Sequence, residues 1–218
     1  MYARTVDQRT LTLSVSGMLW NRSLVMIDRE TKSLWSHLLG RAMRGPLKGK
    51  DLQLLSGQMT DWKTWRERHP GTTVMVLKRT SKAFNREFYA NPQRFVIGLV
   101  DGVAARAWPL DQLRKQPLVN DQLDDVPLLV WFEEESSTAY LFDRRAGDRT
   151  LRFERQDGKL IDRETASVWS AQHGRAIKGP LKNTQLEPLP GIVSFRKAWK
   201  VFHPKSTYFV VATPQEGY

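Results

Sequence analysis

Residues 28–36 read Asp-Arg-Glu-Thr-Lys-Ser-Leu-Trp-Ser, and residues 162–170 read Asp-Arg-Glu-Thr-Ala-Ser-Val-Trp-Ser. The two copies lie 134 residues apart, and from 28–70 against 162–204 they are identical at 21 of 43 positions without a gap. Identity at this level far exceeds chance, so the chain contains an internal repeat.

Upstream of this shared block, the two copies differ in length. Arg-Thr-Leu at 9–11 matches Arg-Thr-Leu at 149–151 at an offset of 140, so the first copy holds six extra residues before Asp28. They lie in the stretch Ser-Val-Ser-Gly-Met-Leu-Trp-Asn at 14–21, where the second copy has a Gln-Asp-Gly-Lys turn at 156–159. Asp-Gly is a strong signal for a tight β-hairpin turn.

The repeat also predicts how the chain is divided. Residues 95–143, which precede the second copy, have no counterpart before the first. We therefore expect a first unit at 1–77 that is truncated on its N-terminal side, a linker at 78–94 and a complete second unit at 95–218. We expect the two units to form one compact globule.

Short apolar runs between polar turns predict a strand-rich fold. A hairpin is predicted at 95–108, and further strands are predicted at 126–132, 138–142, 149–153, 159–162, 73–77 and 207–211. Each unit also has one segment, 60–68 or 194–202, that begins at Thr or Ser and ends before His-Pro, which is typical of a short helix. We predict an α+β, mostly β fold of two similar units related by pseudo-twofold symmetry, with one short helix per unit.

Composition and charge exclude several classes of protein. The 34 Lys and Arg outnumber the 23 Asp and Glu, which gives a net charge of +11, and cysteine is absent. The absence of cysteine excludes disulfides and cysteine-based metal sites or nucleophiles. No run of five like charges occurs, so there is no basic tail, and no apolar window reaches the roughly 18 residues of a membrane span. The charged N-terminus predicts no secretion signal, which favours the cytoplasm.

The doubled motif resembles a bacterial and archaeal family, domain-of-unknown-function family 3179. The resemblance rests on Asp-Arg-Glu-Thr-x-Ser-x-Trp-Ser, Gly-Arg-Ala-x-x-Gly-Pro-Leu and Trp-x-x-x-His-Pro in both copies, and on Val-Asn-Asp at 119–121. Members usually carry a fuller first unit with His-Glu-x-x-Asn-Asp and Cys-Pro-Leu-Cys-Gly-Thr segments, which this sequence lacks. The resemblance therefore implies an architecture and no established activity.

Two pairs of equivalent residues are candidates for catalysis. Asp28 and Asp162 could supply an acid and a base at a shared site, and His69 and His203 could converge as imidazole bases or ligands. The structural alternatives are favoured: each Asp caps a turn, and each His ends a helix. We predict no cofactor and no metal site.

Both predicted helices also interleave cations with aromatic residues, as surfaces that bind single-stranded nucleic acids do. The polyanion-binding candidates are Lys63, Arg66, Arg68, Arg196, Lys197 and Lys200. Because Trp62, Trp65 and His69 recur at helical spacing, burial of the aromatic residues is the favoured alternative.

We therefore expect an uncharacterised repeat domain that acts as a non-enzymatic binding or structural module for an unknown ligand, without membrane association. The alternatives are an enzyme or metal-binding site at the interface of the two repeats, and nucleic-acid or polyanion binding through the basic surface. Whether the protein is an enzyme stays open.

The truncation predicts an exposed sheet edge at 10–16, with Leu11, Leu13, Leu24 and Met26 poorly covered. Three arrangements could cover this edge: a sheet shared within the chain, which we expect, a homodimer as the next alternative, or a separate subunit.

Overall fold

A computed structural model describes residues 1–75 and 91–212, and the protein is mostly β. Most of the predicted linker, 78–90, and the end of the predicted strand 73–77 lie outside the described residues. Residues 73–75 are described and form no strand.

The first copy of the repeat forms a two-stranded ribbon followed by an antiparallel sheet. The strands are β1 (Thr5–Val6), β2 (Arg9–Thr10), β3 (Leu13–Trp20), β4 (Ser23–Asp28), β5 (Leu34–Ser36) and β6 (Ala42–Arg44). β1 pairs with β2, and the sheet has the order β3-β4-β5-β6. β3 is therefore an edge strand, and among the described residues no strand of the second unit joins this sheet. The expected sharing of a sheet within the chain is wrong for these residues.

The segment without a counterpart in the first unit forms five strands: β7 (Phe95–Asp101), β8 (Ala104–Pro109), β9 (Leu118–Leu123), β10 (Val126–Glu133) and β11 (Thr138–Asp143). β7 and β8 pair as the predicted hairpin, which confirms that prediction. β9, β10 and β11 form a separate antiparallel sheet in the order β11-β10-β9.

The second copy repeats the arrangement of the first. Its strands are β12 (Arg145–Ala146), β13 (Arg149–Thr150), β14 (Phe153–Gln156), β15 (Lys159–Asp162), β16 (Val168–Ser170) and β17 (Arg175–Lys178). β12 pairs with β13, and the sheet has the order β14-β15-β16-β17. The predicted strand 149–153 is wrong, because the chain is interrupted at the buried Leu151 and the pairing with β15 begins at Phe153.

Two further strands complete the sheet that contains β7 and β8. β18 (Ile192–Phe195) pairs antiparallel with β7, and β19 (Thr207–Tyr208) pairs parallel with β8.

Within residues 1–75 and 91–212 the helices are α1 (Trp62–Arg68), α2 (Leu110–Lys115) and α3 (Arg196–Phe202), and Pro92–Arg94 forms a 3-10 helix. The N-cap of α1 is Asp61, whose carboxylate accepts the Thr64 amide at 2.9 Å, and not Thr60. Ser194 lies in β18, so the predicted cap of α3 is wrong as well. α2 was not predicted; it starts after Pro109 and buries Leu110 and Leu113. Because α2 and α3 both lie in 95–218, one helix per unit does not describe the second unit.

Contacts divide the chain into two compact units. Unit 1 consists of Met1–Gly57 with Lys197–Lys205, and unit 2 of Gln58–Arg196 with Ser206–Tyr218. α1, which belongs to the first sequence repeat, is thus part of unit 2, and all but the first residue of α3 is part of unit 1. The boundaries of the repeat units at 77 and 95 describe the sequence and stay a prediction.

Equivalent residues of the two copies build equivalent cores. Leu11, Trp35 and Ala42 are buried in unit 1, as are Leu151, Trp169 and Ala176 in unit 2. The core of unit 2 also buries Leu129 and Tyr140 from β10 and β11, which have no counterpart in the first copy. Leu11 has no exposed surface, whereas Leu13, Leu24 and Met26 are half-buried.

Candidate functional site

The carboxylate of Asp28 organises the turn between β4 and β5. It accepts hydrogen bonds from the Thr31 amide at 2.5 Å, the Thr31 hydroxyl at 2.8 Å, the Ser33 amide at 3.1 Å and Nε1 of Trp35 at 2.9 Å. Burial alone would raise the pKa of Asp28, but the hydrogen bonds from Trp35 and Thr31 outweigh it and hold the pKa below its ordinary value. The carboxylate is therefore ionised, without exposed surface, and occupied by four donors.

Asp162 makes the same bonds in the second copy. It accepts from the Thr165 amide at 2.7 Å, the Ser167 amide at 3.1 Å and Nε1 of Trp169 at 2.8 Å. The glycine of each Gly-Pro-Leu segment packs on the same turn: an ideal Cβ on Gly179, at φ +97°, would lie 2.7 Å from Cα of Ser167. This geometry favours the structural interpretation of the motif, because every polar group named has an internal partner.

His69 and His203 end their helices in the same way. Each peptide N–H donates to the carbonyl oxygen of the Trp four residues earlier at 2.8 Å. The ring of His69 lies 4.0 Å from that of Trp65, and the ring of His203 lies 4.2 Å from that of Trp199. Burial lowers the pKa of His203. His69 belongs to unit 2 and His203 to unit 1, so their convergence on one site stays a prediction.

Sequence reasoning missed a polar cluster in unit 2 around Arg68. Nη2 of Arg68 lies 2.7 and 2.8 Å from the two carboxylate oxygens of Glu133, and Nη1 donates to the Tyr140 hydroxyl at 2.6 Å. The Ser136 hydroxyl and the Gln172 amide also donate to Glu133. Burial would raise the pKa of Glu133, but the bonds from Arg68 and Ser136 lower it overall. The cluster fastens α1 in unit 2 and leaves Glu133 poorly suited to accept a further proton.

Arg68 therefore differs from the other polyanion-binding candidates, because it is committed to an internal ion pair. Lys63, Arg66, Arg196, Lys197 and Lys200 are exposed. Arg196 also lies over the ring of Tyr208, at 5.5 Å from the centroid. No sequence signal could have found the cluster, since Glu133 and Tyr140 are 65 and 72 residues from Arg68 and lie outside the repeat.

The positive charge is concentrated in unit 1. Its residues 1–57 and 197–205 hold 12 Lys and Arg against 4 Asp and Glu, so 12 − 4 gives +8 of the total +11. All four carboxylates are engaged: Asp7 with Lys50 at 2.8 Å, Asp51 with Arg41 at 2.7 Å, Glu30 with the Thr12 amide at 2.8 Å, and Asp28 in its turn. The other 10 of these 12 cations have no carboxylate partner among residues 1–75 and 91–212. Unit 1 thus presents a strongly basic surface.

The six extra residues of the first copy extend β3 and β4 into a long hairpin, which we call the insert hairpin (residues 13–28). Its end exposes four large apolar side chains: Val15 and Leu19 are each 70% exposed, Met18 is 45% and Trp20 is 40% exposed. The Trp20 ring packs edge-on against Phe202, with centroids 4.9 Å apart. The second copy forms the same four-stranded sheet with a tight turn at Asp157 instead. The second copy therefore forms this sheet without an apolar extension.

The outer edge of this sheet differs between the two copies. In unit 2, β9 lies beside β14. The side chain of Asn120 in β9 binds both backbone groups of Phe153 in β14. The Phe153 N–H donates to Oδ1 of Asn120 at 2.7 Å, and Nδ2 of Asn120 donates to the Phe153 carbonyl oxygen at 2.7 Å. Phe153 corresponds to Leu13 in the first copy. An amide side chain thus takes the place of a paired strand on β14.

The peptide groups of Leu13 also point away from their own sheet. Leu13 of β3 lies opposite Asp28 of β4. The Asp28 N–H points away from β3 and donates to the Ser33 carbonyl oxygen at 3.1 Å. Leu13 and Asp28 are therefore a non-hydrogen-bonded pair of the β3–β4 ladder, and the N–H and C=O of Leu13 point outward. Val15, two residues on, has the same orientation opposite Met26. In the described part of the chain no hydrogen bond reaches these outward groups of Leu13 or Val15. The outward backbone groups of β3 are therefore available for pairing, whereas those of Phe153 in β14 are bound to Asn120.

The described residues provide no candidate metal centre and no membrane-spanning helix. Residues 1–75 and 91–212 contain no cluster of three or more His, Asp or Glu side chains that could hold a metal ion. No helix within the same residues has the length and apolar character that crossing a membrane requires.

The family model described as "Protein of unknown function (DUF3179)" matches residues 1–95 and, separately, residues 80–216. The chain belongs to the DUF3179 family. The two matched ranges overlap at 80–95, so DUF3179 occurs here as two overlapping units, which agrees with the internal repeat. No curated protein and no solved structure matches the chain.

Proposed function

We propose that this DUF3179 protein is a non-enzymatic binding module and that the insert hairpin is its binding surface. The observation that carries the proposal is the exposure of Met18, Leu19 and Trp20 on an extension that the second copy folds without, close in sequence to the exposed Val15. Large apolar side chains grouped on a surface favour aggregation unless a partner covers them. A feature that the second copy lacks and that solubility opposes is best explained by binding.

The polar groups support a role other than catalysis. The carboxylates of Asp28, Asp162 and Glu133 each accept several internal hydrogen bonds. A general base needs a free lone pair within reach of its substrate. These three carboxylates are therefore poor candidates for a general base.

The pseudo-twofold relation between the repeats belongs to the same proposal. The identical hydrogen bonds around Asp28 and Asp162 and the equivalent cores support it. In this proposal the first copy, which carries the extension, provides the binding surface, and the second copy serves as a scaffold.

A second candidate function is polyanion binding, and the +8 charge of unit 1 favours it. Such binding would depend steeply on salt, because each phosphate contact releases counterions. It would not depend on the apolar side chains of the insert hairpin, and this separates the two functions experimentally.

The test uses the full chain and a short-hairpin variant, in which residues 14–27 are replaced by residues 154–161 of the second copy. Binding to labelled acidic peptides, single-stranded RNA and anionic vesicles is measured by anisotropy or co-sedimentation. We expect at least one probe to bind the wild type and to lose about tenfold or more in affinity, roughly 1.4 kcal/mol, on shortening. The variant loses the Trp20–Phe202 contact and the buried Val25, so its thermal midpoint should fall, but its unfolding should stay cooperative because its turn already occurs in this chain.

Equal binding by both proteins would refute the hairpin as the binding surface, and a steep salt dependence in that case would support the second candidate. Absence of binding to every probe counts against both.

A further inference from the structure

The edge of β3 carries a more specific inference, which rests on the proposed function. We propose that this edge binds an extended, acidic segment of another polypeptide by strand addition, with the peptide groups of Leu13 and Val15 as the pairing sites. Strand addition to an exposed edge takes its affinity from main-chain hydrogen bonds and its specificity from side-chain contacts.

The second copy supplies the chemistry of the pairing. The peptide of Phe153 faces one donor and one acceptor, both from the carboxamide of Asn120, at 2.7 Å. A carboxamide and a peptide bond present the same N–H and C=O groups. An added strand would therefore satisfy Leu13 as Asn120 satisfies Phe153.

Val15 extends the same edge by one pairing site. Its outward peptide groups follow those of Leu13 at the two-residue period of a strand. Beyond it, the register of β3 and β4 shifts between Val15 and Leu19. A bulge of this kind interrupts regular pairing, so we place the added strand against residues 13–15 and its apolar side chains near the exposed Val15 and Leu19.

The positive charge of unit 1 indicates which kind of partner would bind the β3 edge. Unit 1 carries +8, its four carboxylates are all engaged, and most of its cations have no carboxylate partner in the described residues. Complementary charge speeds encounter, whereas like charge disfavours it. A second copy of this chain would bring another +8 to the same edge. An acidic partner fits, and one whose apolar residues alternate along a strand also covers the exposed side chains.

The probe is a labelled peptide of about ten residues that alternates Glu with Val and carries one central Asn. Three control peptides isolate its features: Lys in place of Glu removes the charge match, Ser in place of Val removes the apolar contacts, and alternating Pro prevents strand addition. We expect the Glu–Val peptide to bind the wild-type chain at least about tenfold more tightly than any control, a difference of roughly 1.4 kcal/mol.

Two variants locate the site. Val15→Pro removes the outward N–H of residue 15 without removing a hydrogen bond to β4. Val15→Glu keeps the backbone N–H but places a negative charge, which repels the acidic peptide, at a position that is 70% exposed. Both should weaken binding of the Glu–Val peptide by about tenfold or more. The matched controls are Arg155→Pro, at the equivalent position of β14, and Val103→Glu, at a fully exposed turn residue. Arg155→Pro also removes a positive charge, so a small uniform loss is expected there, and Val103→Glu should leave binding unchanged.

Unchanged binding in both Val15 variants would overturn strand addition at this edge. So would equal binding of the Pro-containing peptide, which would reduce the effect to charge alone. Light scattering that shows a dimer abolished by Val15→Pro would assign the edge to a second copy and also overturn the inference. If RNA or vesicle binding depends on the insert hairpin while the Glu–Val peptide fails, the inference is wrong and the proposed function stands. If the short-hairpin variant binds every probe as the wild type does, the proposed function itself fails.

Discussion

Replacing Asp28 by Ala tests whether the doubled motif exists for structure or for chemistry. The substitution removes the acceptor of four hydrogen bonds, two of which come from the fully buried Ser33 amide and Trp35 indole. A buried donor left without an acceptor costs about 1–3 kcal/mol. Two such donors, with a smaller loss at the half-buried Thr31, predict a destabilisation of about 4 kcal/mol. Asp162→Ala should cost a similar amount, because its donors and distances match.

Urea unfolding followed by tryptophan fluorescence measures this free energy, since Trp35 and Trp169 lie at the two turns. The matched control is Asp51→Ala, which removes an exposed ion pair with Arg41 and should cost less than about 1 kcal/mol. If Asp28→Ala is no more destabilising than Asp51→Ala, the account of the motif as a structural turn is refuted. The carboxylate would then be free to serve as an acid or base.

Three further predictions concern other parts of the fold. Gly45→Ala should destabilise unit 1 by more than about 1 kcal/mol in thermal unfolding, because φ is +98° and the new Cβ would lie 2.7 Å from Cα of Ser33; an unchanged midpoint would contradict this. Asn120→Ala should lower the free energy of unfolding in urea by roughly 1–3 kcal/mol, since it removes the hydrogen-bond partners of both the N–H and the C=O of Phe153; an unchanged free energy of unfolding would show that these two bonds are dispensable. Because the folded pKa of Glu133 is lowered, its stabilising contribution is present above the ordinary carboxyl pKa and is lost as the pH falls through the folded value. Stability measured from about pH 6 to 3 should therefore fall less steeply in Glu133→Gln than in the wild type, and parallel curves would rule this out.

The sequence predicted the parts of the fold that depend on local signals. The repeat, the Asp101-Gly102 hairpin and the mostly β class follow from identity, turn residues and apolar runs. It misplaced the helix starts, because Thr60 and Ser194 are adequate caps by residue type, and only the backbone decides that Asp61 caps α1 while Ser194 continues a strand. It missed α2 because Leu110 and Leu113 alone give too short a helical period to recognise.

The candidate surfaces were less predictable, for a physical reason. The interpretation of Asp28 as a turn residue could be reached from its repetition, since local bonds within seven residues account for its carboxylate. The pairing of Arg68 with Glu133 joins residues 65 positions apart and leaves no periodic trace. Of the +8 in unit 1, residues 1–57 carry 9 − 4 = +5, and the remaining +3 comes from residues 197–205, whose membership of this unit only the folded chain reveals.

The most direct test compares amide hydrogen exchange at Leu13 and Phe153 by NMR, with and without the Glu–Val peptide. The two residues are equivalent in the repeat, but within residues 1–75 and 91–212 the Phe153 N–H has a partner, Asn120, and the Leu13 N–H has none. We predict slow exchange at Phe153 throughout, fast exchange at Leu13 in the free protein, and slowing at Leu13 when the peptide is bound, because exchange reports local protection of the amide. Equal protection of Leu13 and Phe153 in the free monomer, or a Leu13 rate that stays the same at saturating peptide, would contradict the account.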